Sequence, residues 1–271
     1  MSTQYEIFNN TRKVVINKIR MSIDDRQWSE NIKFVELLKE TIIKHPVNTH
    51  PMIDRLDSGV VNKESLAKIN LEYRHAIAQI FTDALLMAQY QARHLEQRLA
   101  PGAKSYPRFI LGLKVFDEFK FNANSLNDLA NPEQGYYPLF EKILDKLDVG
   151  SIARKVYMPS KAAKKVRHYL EDSFYDYTST IALLAVVEVM AMSFRKSLYN
   201  AFNALQLNVD ELCKDKLINN VYALDQDQEN DLWLALAQAC TKEEFISIYE
   251  LCLKYCELWE KFWDVQLDHA K

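Results

Sequence analysis

The chain has 271 residues, 48% of them apolar and 26% charged, the balance of a globular protein long enough to bury most of its unfolded surface. Only 5 Gly and 7 Pro exclude a turn-rich β architecture. A net charge of −3, from 34 basic and 37 acidic side chains, excludes a general attraction for nucleic acid or an anionic membrane.

Helix signals follow one another along the chain. Ser29 is placed to cap a helix to about Lys44, with Ile32, Val35, Leu38 and Ile42 on one stripe and His45-Pro46 as its stop. Asn62 caps a long helix to about Leu99, ended by Pro101-Gly102. Its apolar positions Leu66, Ile69, Tyr73, Ile77, Ile80, Ala84 and Met87 recur at helical spacing. A further helix spans about Pro107 to Phe121. The polar run 121–135 then reads as a surface loop, and Pro138 stands near the start of a helix through Leu147. The stretch from Ser160 to about Leu205 is too long for one helix of a globular protein, so a break is expected near Ser173–Thr180. Asp210 starts the next helix, and Thr241 with Glu244 forms a capping box that opens the last. No strand-like alternation, repeat or linker interrupts this order. The expectation is one all-α domain, residues 1–271, of about seven to nine helices around one core.

The four cysteines, Cys213, Cys240, Cys252 and Cys256, form no C-x-x-C pair, which suits reduced thiols in a helical core. No apolar leader core opens the chain, and the longest apolar stretch, Ile181–Met192, is too short to span a bilayer and contains Glu188. A cytoplasmic location is the corresponding expectation, with no membrane and no nucleic acid among the partners.

Several segments together resemble a known superfamily. Residues 50–86 read HPMIDRLDSGVVNKESLAKINLEYRHAIAQIFTDALL. They are followed by PRFILGLKVFDEFKF at 107–121, YYPLFEKILDKLDV at 136–149, IALLAVVEVMAMSF at 181–194 and LWEKFWD at 258–264. In order and spacing these resemble the haem-oxygenase-like superfamily. It includes thiaminase II (TenA), the PqqC-type quinone-cofactor synthase, and the non-haem diiron oxidases related to the chlamydial death-domain-associated protein (CADD). The resemblance covers roughly residues 45–265, leaving 1–44 as an N-terminal helical extension. It implies a helical bundle around a central pocket, often in a homodimer.

Carried over residue by residue, the resemblance gives Glu118 as the first carboxylate ligand of a diiron site and Glu188 as the second. The histidine of the first cluster falls at Tyr136 or Tyr137 in one alignment and at Ser125 in another. The second cluster, His-x3-Asp-x2-His in the family, falls on Val221, Asp225 and Gln228, so its aspartate is present and its histidines are not. No histidine stands between His168 and His269. The acidic residue of thiaminase-like catalysis falls at Trp259, with Glu257 and Glu260 out of phase. The surviving carboxylates Glu118, Glu188 and Asp225 would serve Fe or Mn only through oxygen, without the imidazoles that tune iron.

Glu188 is the most telling residue on the chain's own terms. Its helical neighbours are apolar on nearly every side, and an uncompensated buried carboxylate costs several kcal/mol, so it must be paired, protonated or ligated. Glu72-x-x-His75 would place both side chains on one helix face. A diiron bundle needs two such motifs, so a bond between these two residues is the simpler reading. His94 and His269 read as exposed. Lys161, Lys164, Lys165 and Arg167 read as a solvated basic face, with anion binding the alternative. Phe174, Tyr175 and Tyr177, with Asp172 and Asp176, form an aromatic patch at the expected break. No phosphate-cradling glycine loop or hydrolase motif occurs.

The pocket residues expected from all this are Glu118, Glu188, Asp225, Tyr136, Tyr137, Glu72 and His75. Whether the pocket is open or filled by side chains such as Tyr136, Tyr137 and Phe116 stays open at this level. Three functions compete. One is a pocket protein that has lost the diiron site and binds a small apolar or aromatic molecule. Another is an oxidase with an unusual carboxylate-rich ligand set. The third is an interaction module.

Overall fold

The computed structural model describes residues 4–119, 132–209 and 230–270, and within them every regular element is helical. Asp225, Cys213, Ser125 and the expected helix start at Asp210 lie outside the described residues.

Helix α1 covers Gln4–Arg20 and α2 covers Asp25–Ile43. The start of α2 differs from the expectation. Asp24, not Ser29, is the cap: its carboxylate accepts the backbone N–H of Arg26 (3.0 Å) and Gln27 (2.9 Å), while Ser29 lies inside the helix and exposed. Ile42 and Leu38 keep the apolar stripe fully buried. Each of the two His-Pro steps that follow begins an element. The rings of His45 and His50 accept the N–H of Val47 and Met52, and Pro46 and Pro51 take the first helical position of a 3-10 turn and of α3 (Pro51–Asp57).

Asn62 caps α4 (Lys63–Tyr73) through the N–H of Ser65 at 2.8 Å, as its position predicts. The helix does not run unbroken to Leu99. A π turn occupies Arg74–Ala78, with Gln79 N–H bonded to the carbonyl of Arg74 five residues back. Then come α5 (Phe81–Gln91) and a 3-10 turn at Ala92–Gln97. Helix α6 (Ser105–Glu118) packs on α5 and α1. Next are α7 (Tyr136–Lys146), the short α8 (Ser151–Val156) and α9 (Lys161–Asp172), which Ser160 caps through Ala163 N–H.

The expected break is present. A 3-10 turn covers Ser173–Tyr175, and Asp176 is extended and caps α10 (Tyr177–Ala204) through Ser179 N–H at 2.7 Å. Thr180 Oγ1 donates back to the carbonyl of Ser173, fixing the corner. In the aromatic patch there, Tyr177 is buried while Tyr175 stands in solvent.

Helix α10 is the central element, in contact with α3, α5, α11 (Asp231–Ala239) and α12 (Phe245–His269). Ile181 through Val186 are fully buried. The helix is longer than the apolar stretch read from the sequence, and by length and composition it could cross a membrane; most of that apolar window is buried inside the protein. The capping box is formed, with Glu244 Oε2 accepting Thr241 N–H at 2.8 Å, and it opens a single 3-10 turn before α12. Cys240, Cys252 and Cys256 are buried free thiols, and burial raises the pKa of each, that of Cys240 to about 12.

Candidate functional site

Glu188 projects from α10 toward α6, where Lys114 meets it: Nζ lies 2.6 Å from Oε1. Neither side chain is sealed off, at 25% and 17% accessible. Burial disfavours the Lys114 charge. The carboxylates of Glu188, Asp231 and Asp117 more than offset it, so the lysine pKa is raised and the ammonium persists.

Beside this pair stands a second one. Arg12 of α1 reaches Asp231 of α11, Nη2 to Oδ1 at 2.5 Å and Nε to Oδ2 at 3.2 Å, with both side chains almost inaccessible. Residues 1–44, expected as an extension, thus supply a buried charge to the middle of the bundle. Four helices converge here, two bringing cations and two bringing carboxylates.

An aromatic wall lies further along α10. Tyr73, the last residue of α4 before the π turn, has its ring 5.2 Å from Phe194, 5.9 Å from Trp259, 6.0 Å from Phe140 and 6.2 Å from Trp263. It too is partly accessible. Burial raises its pKa, Arg195 opposes that shift, and Glu118 adds to it. Glu118 and Arg195 are therefore within electrostatic reach of the Tyr73 hydroxyl. Glu118 and Lys114 are one turn apart on α6, so they share a face. Tyr136 and Tyr137 are half-buried at the start of α7, and Tyr137 accepts from Arg74 Nη2 at 2.9 Å. Phe116, named among the side chains that would fill a pocket, is 49% exposed.

The Glu72-x-x-His75 motif behaves differently from the expectation. Glu72 makes no bond to His75. Its carboxylate is buried and accepts from the Tyr157 hydroxyl (2.5 Å), Ser160 Oγ (2.6 Å) and Ser160 N–H (3.0 Å). Ser160 is the N-cap of α9, where a negative charge is favoured by the helix dipole, and Tyr157 follows the end of α8. The anion at this basic helix start is thus supplied by the chain itself. His75 Nε2 is buried with no hydrogen-bond partner. Burial and Arg167 lower its pKa, against Glu72 and Glu171.

Next to it, Glu141 binds Arg74 and Arg154. Burial would raise its pKa, but Arg74, Tyr137 and Arg154 bring the net shift down. His94 is exposed as expected; His269 is half-buried, because α12 continues to it, and burial lowers its pKa.

Glu188 is held by Lys114, Asp231 by Arg12 and Glu72 by Tyr157 and Ser160, and among the described residues, which leave out Asp225, no three His, Cys, Asp or Glu side chains gather in a way that would hold a metal ion. Lys114, Arg12, Asp231 and Tyr73 were not singled out from the sequence as site residues. The one available signal was the spacing of Lys114 from Glu118. Two surface grooves, one between α2 and α12 lined by Phe34 and Tyr249 and one between α1, α2 and α11 lined by Ile32 and Trp233, touch neither Glu188 nor Tyr73.

No family model and no curated protein matches the chain. Solved structures do. A CADD-like protein of unknown function from Nostoc punctiforme, in its 2.00 Å structure, superposes with a TM-score of 0.61 at 14% identity, covering 89% of this chain and 99% of the other. Its 1.35 Å structure gives a TM-score of 0.55 at 13% identity, with coverages of 87% and 95%. Identity this low speaks for the fold alone. The helix order, the central α10 and these superpositions together give the chain the all-α, haem-oxygenase-like bundle fold of the CADD-like proteins.

Proposed function

We propose that this chain is a haem-oxygenase-like pocket protein that binds a small apolar or aromatic molecule without a working diiron centre. It would act as one domain over residues 1–271, in the cytoplasm and as a homodimer. The observation that carries the reading is the Lys114 ammonium 2.6 Å from Glu188. A fixed monovalent cation already neutralises the carboxylate that the resemblance would give to iron, and a dication beside it would be repelled. A flat apolar ligand would meet the partly accessible Tyr73 ring, which is packed against Phe140, Phe194, Trp259 and Trp263. The rival reading, an oxidase using Glu118, Glu188 and Asp225, would leave only the second oxygen of Glu188 to a metal, beside the Lys114 charge.

Anaerobic titration of the purified apo-protein with ferrous iron, followed by elemental analysis, tests the first half of the proposal. Iron should stay substoichiometric after gel filtration; tight, stoichiometric iron would sink the reading. Titration with small aromatic compounds while following tryptophan fluorescence tests the second half. Trp259 and Trp263 should respond, and Tyr73→Ala should weaken the response.

A further inference from the structure

Three large apolar side chains stand out from the surface within seven residues: Ile152, Val156 and Met158 are 76%, 67% and 77% exposed. Ile152 and Val156 are one turn apart on α8 and share a face. Their exposure does not come from slack backbone. Arg154, buried beneath them, donates to the carbonyl of Val149 (2.8 and 2.6 Å) and to Glu141 (3.1 Å), and it pairs with Asp145. Three residues further on, the Tyr157 hydroxyl is fastened to buried Glu72. The chain is pinned from below so that the apolar side chains point outward. A clustered apolar patch held in this way marks an interaction surface.

The surroundings of the patch are cationic. Lys155, Lys161 and Lys165 are exposed, and none of them makes an ion pair or side-chain hydrogen bond among the described residues. The acids in contact with this segment are already engaged, Asp145 and Glu141 by Arg154 and Glu72 by Tyr157 and Ser160, and Asp148 just ahead of it is paired with Lys63. A local positive field therefore sits on a chain of net charge −3.

We propose that this patch docks on an anionic phospholipid surface. Ile152, Val156 and Met158 would enter the headgroup region, while Lys155, Lys161 and Lys165 would meet the phosphates. Two arguments favour a lipid surface over a protein. A symmetric contact with a second copy would bring the three lysines of each copy against those of the other. And three protruding side chains are far too few for a stable protein interface of about 800 Å² per partner, whereas a bilayer interface takes up a few apolar side chains backed by cations.

The test is co-sedimentation of the full chain with phosphatidylcholine vesicles and with vesicles in which part of that lipid is replaced by phosphatidylglycerol. Binding is expected only to the anionic vesicles, and added salt should reverse it. The triple variant Ile152→Ser, Val156→Ser, Met158→Ser and the double variant Lys155→Glu, Lys161→Glu should each lower the partition coefficient at least about tenfold. Circular dichroism and Tm would show that both remain folded, since all five positions are exposed. Absence of binding to anionic vesicles, equal binding to neutral ones, or variants that bind like the parent would each overturn the proposal. Sedimentation velocity covers the remaining occupant: a dimer that the triple variant dissociates, with no vesicle binding, would assign the patch to a second copy instead.

Discussion

Two carboxylates of the bundle, Glu188 and Glu72, invite comparison. Glu188 is conspicuous in the sequence, a lone charge inside an apolar helix; Glu72 sits in an ordinary amphipathic stretch. Their surroundings reverse that order. Glu188 retains a quarter of its side-chain accessibility and has one ammonium partner, whereas Glu72 is 1% accessible and takes hydrogen bonds from three donor groups of the segment leading into α9. The contrast of a charge with its sequence neighbours is a poor measure of its burial. What decides is which distant segment arrives with donors, and those partners are 74 residues away for Glu188 and 85 to 88 for Glu72.

The comparison predicts that the inconspicuous carboxylate matters more for stability. Glu72→Ala strands the Tyr157 hydroxyl and the Ser160 N–H and hydroxyl, and it removes the anion from the start of α9. The expected cost is about 3–5 kcal/mol. For a chain of this size that lowers Tm by roughly 10 °C. Glu72→Gln, which keeps one acceptor oxygen, should lose less. Urea denaturation followed by circular dichroism measures both. A loss for Glu72→Ala within about 1 kcal/mol of zero would break the comparison, because a fully buried, multiply bonded carboxylate cannot be removed that cheaply.

The middle of the range belongs to Glu188. Lys114→Met retains the aliphatic stem and removes the charge. Since both partners keep some solvent contact, the ion-pair energy is screened, and the expected loss is about 1–2 kcal/mol. A double-mutant cycle with Glu188→Gln isolates the coupling between them. The comparison is sharpened if the coupling accounts for most of the loss. It fails if Lys114→Met costs as much as Glu72→Ala, which would mean that the space around Glu188 is drier than its accessibility indicates.

Legibility in the sequence followed the range of each interaction. Caps that bond within three residues were readable: Asn62, Ser160 and the Thr241–Glu244 box all formed where their spacing put them, and the corner at Ser173–Asp176 fell where the helix would otherwise have been too long. Asp24 was missed because Ser29, an equally good capping type, stands just ahead of the apolar stripe. The π turn was missed because it changes a hydrogen-bond register and leaves the apolar spacing nearly intact; Leu66, Ile69, Ile77, Ile80 and Ala84 are all buried as the helical pattern requires. The site was least legible. Arg12 and Asp231 are 219 positions apart, and no local pattern announces such a pair. The resemblance implies positions for carboxylates, but it does not say that Lys114 sits against Glu188.

The smallest effect separates the two regions by pH. His75, one turn from Glu72, is held below its ordinary pKa by burial first and by Arg167 second. The unfolded chain takes up a proton as the pH falls through about 6.5, while the folded site resists it until lower pH. The unfolded state then binds more protons, so stability is fully present above that value and declines as the pH falls toward the folded pKa. His75→Leu should therefore flatten the change in urea midpoint between about pH 8 and about pH 5, where the parent protein loses stability. His269, also shifted downward, contributes to the parent slope in the same direction, so the readout is the difference between the two proteins. Lys114 adds nothing to that slope, because its pKa is raised and it stays charged throughout this window. A parent and a His75→Leu variant with identical slopes would remove His75 from the account and leave the two carboxylates distinguished by burial alone.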